Sequence, residues 1–182
     1  RKENLGTQVQ SIKTNNTLLK TELDNTILKV YLSKPLPPGE SVTFDINFKT
    51  YFDRETIRNR MKLFNSFGKK HYDIVHWYPR IGVIDSKFAW VTDQHMDHEF
   101  YGDFGSYYVE MTFPNNYIVD GTGVLINEKE VLPDTLRAKL DISHFLKKPF
   151  NSPPSTIIKR NDTKKTWKFS AINVHDFAEI VF

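Results

Sequence analysis

Alternation of apolar and polar residues at every second position is the feature that most narrows what this chain can fold into. In ESVTFDINF (40–48), Val42, Phe44, Ile46 and Phe48 fall on one side and Ser41, Thr43, Asp45 and Asn47 on the other. That is the pattern of a half-buried strand. It follows the rigid turn PLPPG (35–39), and ILKVYL (27–32) is expected to be its partner. Tyr107, Val109, Met111 and Phe113 alternate in the same way up to Pro114, after which Asn115-Asn116 turns the chain into YIVDGTGVLI (117–126). There Gly121 and Gly123 predict a bulge or a close approach of backbone. STIIKR (155–160) and TWKFSAI (166–172) flank the turn NDTKK and predict a hairpin.

Helical periodicity is confined to one place. LPDTLRAKLDISHFLKK (132–148) spaces Leu136 and Leu140 one turn apart and offers Asp134 as a cap, so one short helix is expected near 134–147. Residues 50–70 carry scattered aromatics among polar residues and are expected to form a long loop. Many short strands, one helix and frequent turn residues predict a mainly β fold, an antiparallel β-sandwich or open barrel.

Several function classes fall away on composition. The chain has no cysteine, which removes disulfides, Cys-ligated zinc and thiol catalysis. Its net charge of +3 is spread along the chain without a basic block, so nucleic-acid binding gains no support. No apolar run reaches the ~18 residues that a membrane-spanning helix needs. RKENLGTQVQ (1–10) lacks the apolar stretch of a signal peptide.

DQHMDHEFYGDFG (93–105) looks most like chemistry. His98-Glu99 begins the zinc motif H-E-x-x-H, but Gly102 stands where the second histidine ligand must be. His95 and His98 share a face only in a helix, and their strand-like flanks favour a loop pair. No metal site is therefore expected in this chain, nor any cofactor. Asp103-Phe104-Gly105 matches the kinase magnesium tripeptide but lacks the accompanying catalytic and phosphate loops. Aromatic residues make up 14% of the chain. Trp77, Tyr78, Trp90 and Tyr101 could form a stacking surface for glycans or extended peptides, or fill the core and its rim. The first alternative describes a stand-alone β-sandwich binding module.

Three blocks then follow one another in a specific order: HWYPRIGVID (76–85), HEFYGDFGSYYVEMTFPNNYIVDGTGVL (98–125) and KTWKFSAINVHDFA (165–178). In order and spacing they resemble the N-terminal domain of bacterial zinc aminopeptidases of peptidase family M one. These are the gluzincins that include aminopeptidase N and leukotriene hydrolase. The resemblance covers roughly residues 27–178. It implies a saddle-like N-terminal β domain over 1–178, probing no chemistry of its own, with 179–182 beginning the catalytic domain. Zinc would be held in that catalytic domain by H-E-x-x-H and a downstream Glu, with a G-x-M-E-N loop for the substrate amine. None of these motifs is present here.

The partners so implied are the catalytic domain of the same parent protein and a peptide substrate at the cleft edge. No nucleic acid and no membrane span are implied. A domain parted from its neighbour would expose an apolar face, which predicts dimerisation through it. The resemblance favours an exported or cell-envelope setting over the cytoplasm. It also directs attention to His76, which stands where close bacterial forms have a Gln that accepts a hydrogen bond from the substrate amine. The acidic position of other members falls near Tyr78. Glu99, on the neighbouring loop, is a substitute acceptor, or else it pairs with Arg80. His76, Tyr78 and Glu99 are thus the candidate substrate-binding residues, and no catalytic residue is expected.

Overall fold

The computed structural model describes residues 6–52, 61–90 and 102–182. In chain order the strands are β1 (Thr7–Thr14), β2 (Thr17–Leu18), β3 (Lys20–Asp24), β4 (Ile27–Tyr31), β5 (Asp45–Thr50), β6 (Lys62–Ser66) and β7 (Lys69–Ile74). There follow β8 (Ile84–Asp85), β9 (Ala89–Trp90), β10 (Gly105–Pro114), β11 (Val119–Gly121) and β12 (Val124–Leu125). Helices α1 (Glu128–Val131) and α2 (Asp134–Leu140) and a 3-10 turn at Ile142–His144 come next, before β13 (Lys164–Val174) and β14 (Glu179–Val181). Every strand pairing among the described residues is antiparallel, and the fold is mainly β, as the alternation predicts. No closed barrel forms among the described residues.

The chain divides into two compact units, one built from residues 1–53 and 77–103 and the other from 54–76 and 104–182. In the first, β1 lies between β2 and β5. Asn15 and Asn16 both take positive φ, 47° and 63°, and so form the two-residue turn that joins β1 to β2 with the right twist. Ile12 and Leu19 are buried beside it, and the Leu19 N–H donates to the Ile12 carbonyl. β3 and β4 make a separate hairpin whose β3 residues are all exposed. Its rungs are tied by Lys29 to Glu22 and Asp24, and by the Tyr31 hydroxyl donating to Glu22.

The second unit holds most of the core. β13 runs between β10 and β12, and its inward residues Trp167, Phe169 and Ala171 meet Val109 and Met111 of β10. Phe177 and Val131 are buried as well, and the Phe177 ring stands edge-on to Phe169 at 6.3 Å. The outward face is polar, with Tyr108 donating to Glu110, Lys168 pairing with Glu110, and Thr112 bonded to Thr166. A four-stranded sheet, in the order β11-β14-β7-β6, completes this unit.

Several expectations change at this level. The partner of β5 is β1, while ILKVYL pairs with β3, because alternation fixes which face is buried and not which strand lies alongside. Part of the expected loop at 50–70 is strand β6, which pairs with β7 through a turn with positive φ at Phe67 and Gly68. No hairpin joins 155–160 to 166–172; those earlier residues are not strand, and β13 pairs with β10 and β12 instead. The segment 117–126 is split into β11 and β12, which belong to different sheets. The split falls at Gly123, whose φ is +92° and where a Cβ would lie 2.3 Å from the Ser170 carbonyl oxygen. Asp134 does not cap its helix: Pro133 holds that position, and Asp134 instead binds Arg137, which also reaches Glu128 of α1.

Candidate functional site

His76 lies just beyond β7, in the second unit, with φ at +56°. The left-handed conformation is unusual for a residue with a Cβ, and its imidazole Nε2 stands 3.3 Å from Asp176 Oδ2. Asp176 is itself fixed, since its other oxygen accepts the Phe177 N–H at 2.8 Å. The loop that carries it is anchored at Ala178, whose N–H donates to the Thr122 hydroxyl and whose carbonyl accepts the Thr122 N–H.

Three residues further on, Glu179 occupies an inward position of β14, opposite Ile74 on one side and Gly121 on the other. It is only 5% exposed, and its Oε1 has no hydrogen-bond partner. The missing side chain at Gly121 is what makes room for it, for a Cβ there would lie 3.3 Å from Glu179 Cγ. Burial, reinforced by the nearby Asp176 carboxylate, pushes its pKa up to about 8. At neutral pH the group is therefore a carboxylic acid, able to donate as well as accept. The buried acid Glu179 thus follows Asp176 of the His76–Asp176 pair by three residues along the chain.

Tyr78 belongs to the first unit. Its ring meets Trp77 edge-on at 5.1 Å, Trp77 tilts against Phe48 at 6.2 Å, and the Thr50 hydroxyl donates to the Trp77 carbonyl. Trp77 and Tyr78 are half-buried rim residues, whereas Trp90 is 57% exposed and pairs across the strand with exposed Ile84. Glu99, His95, His98 and Tyr101 lie outside the described residues. Among the described residues no group of three or more His, Cys, Asp or Glu side chains could hold a metal ion.

Neither Asp176 nor Glu179 is among the residues singled out from the sequence. The signal was present in AEIVF (178–182), where Glu179 shares the period-two face of Val181 in an apolar strand. No family model, no curated protein and no solved structure matches the chain.

Proposed function

We propose that this chain is the non-catalytic N-terminal domain of a zinc-dependent, aminopeptidase-like metallopeptidase. It would pack on the catalytic domain and help wall the substrate cleft. The observation that supports this reading is that parts of the second and third resembling blocks come together in space. Residues 105–114 and 164–174 are adjacent strands, and Gly123, from the same block as β10, packs on Ser170. Parts of the second and third blocks, distant in sequence, thus share a sheet, while the first block from residue 77 on belongs to the other unit.

On this reading His76 replaces the Gln of close bacterial forms, and its chemistry is suited to the exchange. Its Nε2 faces Asp176 Oδ2 at 3.3 Å, and an imidazole, like an amide, can accept a hydrogen bond. Tyr78 and Glu99 are the other candidate substrate-binding residues on this reading. Zinc would reside in the catalytic domain, outside this chain.

The test is the reading frame itself, joined to an assay. A frame running past Phe182 into G-x-M-E-N and H-E-x-x-H is expected. The purified 182-residue chain, given zinc and an aminoacyl-anilide, should show no turnover. Metal-dependent hydrolysis by this chain alone would overturn the proposal. A stop codon after Phe182 would favour the alternative, a stand-alone β-sandwich module binding glycans or extended peptides, for which the exposed Trp90 and Ile84 pair speaks.

A further inference from the structure

Between α2 and β13 the chain turns three large apolar side chains out to solvent. Ile142 is 76% exposed, Leu146 74% and Phe150 101%, so nothing else in the chain covers the Phe150 ring. Single exposed apolar residues are ordinary on a protein surface, but three in nine positions of one connection make a patch that calls for an explanation. The flanking α2 and the 3-10 turn at Ile142–His144 bury no residue either. This segment therefore adds little to the core of the second unit.

Its backbone is nonetheless fixed, by bonds of its own. Asp141 Oδ1 accepts the Ser143 N–H at 2.8 Å. The Phe145 N–H donates to the Ile142 carbonyl, the Lys148 N–H to the Phe145 carbonyl, and the Ser152 N–H and hydroxyl to the Pro149 carbonyl. Lys148 Nζ reaches Ser155 Oγ at 2.9 Å and so ties the end of one turn to the far side of the next. Pro149, Pro153 and Pro154 restrict the chain further. The apolar groups are thus held out in advance, and little further ordering is needed when they meet a partner. The charge of the segment is one-sided. Between Asp141 and Asp162 there is no Asp or Glu, while Lys147, Lys148, Lys159 and Arg160 are all present. Lys147 is exposed, and neither it nor Lys148 forms an ion pair among the described residues.

We propose that residues 142–150 anchor the chain to an anionic lipid surface. Ile142, Leu146 and Phe150 enter the boundary between headgroups and acyl chains, and Lys147 and Lys148 meet the lipid phosphates. A bilayer offers apolar depth and surface negative charge at every point, which complements apolar tips and unneutralised cations carried on one segment. An acidic protein face would satisfy the lysines but leave Phe150 in water unless it also supplied an apolar pocket. The anchor shares no residue with His76, Asp176 or Glu179 and does not depend on the peptidase reading.

Co-sedimentation of the 182-residue chain with vesicles tests it. One set of vesicles is phosphatidylcholine alone, and the other is phosphatidylcholine and phosphatidylglycerol in equal parts. Binding is expected to the mixed vesicles, to be much weaker on phosphatidylcholine, and to fall as salt is raised. Leu146→Ser/Phe150→Ser should weaken binding by about tenfold or more. Lys147→Gln/Lys148→Gln should weaken it several-fold and flatten its dependence on salt. Both pairs leave the core untouched, so melting curves by circular dichroism should match the wild type and lost binding then reports on the anchor itself. Three results would overturn the proposal. They are equal binding to the two kinds of vesicle, affinity for the mixed vesicles unchanged in Leu146→Ser/Phe150→Ser, and no vesicle binding. In the last case, a concentration-dependent dimer abolished by the same variant would assign the patch to a second copy of the chain.

Discussion

The carboxyl group of Glu179 is buried in the second unit with one oxygen unpartnered. Its folded pKa, about 8, lies well above the ordinary value of 4.5. Between those two values the folded chain holds a proton that the unfolded chain has lost, so stability falls as pH rises through this window and levels off above it. At about 1.4 kcal/mol per unit, the full span is on the order of 5 kcal/mol. The charges around it are Asp176 and His76 at its own end of the sheet, with Asp73 and Asp120 beside Ile180 on the other face. Urea unfolding at pH 6 and pH 9 should show the wild type weaker at the higher pH. Glu179→Gln, neutral at both, should lose most of that difference. His76 could be picked out of the sequence because it stands in a recognisable block. Its partner Asp176 lies a hundred residues on in the same unit, and no local pattern joins the two.

Strand β10 was legible because its burial follows its alternation, Val109 and Met111 inward and Tyr108 and Glu110 outward. Strand β3 was not, since all five of its residues are exposed and no apolar face marks it. The stretch Ile157-Ile158 imitates a strand, but its neighbourhood is governed by the Asn115 side chain, a contact across more than forty residues. The glycine pair in 117–126 was legible as a close approach, and the two positions differ in strictness. Gly123 combines positive φ with a clash against backbone, whereas a Cβ at Gly121 meets neighbours no closer than 3.3 Å. Gly123→Ala should therefore destabilise by about 2 kcal/mol or more. Gly121→Ala should cost less in the same denaturation assay, and the reverse order would contradict the packing described for β12.

Neither unit is a continuous stretch of chain, because the polypeptide passes between them at 53–54, 76–77 and 103–104. Sequence reading did not find this division, since composition hardly changes at those points and no linker marks them. The consequence for dissection is direct. A fragment of residues 104–182 would keep β10, β13 and β12 but leave β14 without its partner β7. It is expected to unfold at lower temperature and less sharply by circular dichroism than a fragment starting at residue 54. Equal melting curves would mean that β6 and β7 contribute little to the second unit.

The placement of β14 also sets an order of events during synthesis. β11 and β7 are not neighbours in the sheet; β14 (residues 179–181) lies between them. Until those residues leave the ribosome, β6 and β7 exist only as a two-stranded hairpin, which is marginal in water. β11 meanwhile has no partner in its sheet. The sheet therefore closes late, more than a hundred residues after its first strand is made, and the nascent chain spends that interval with its edges open to chaperones and to other chains.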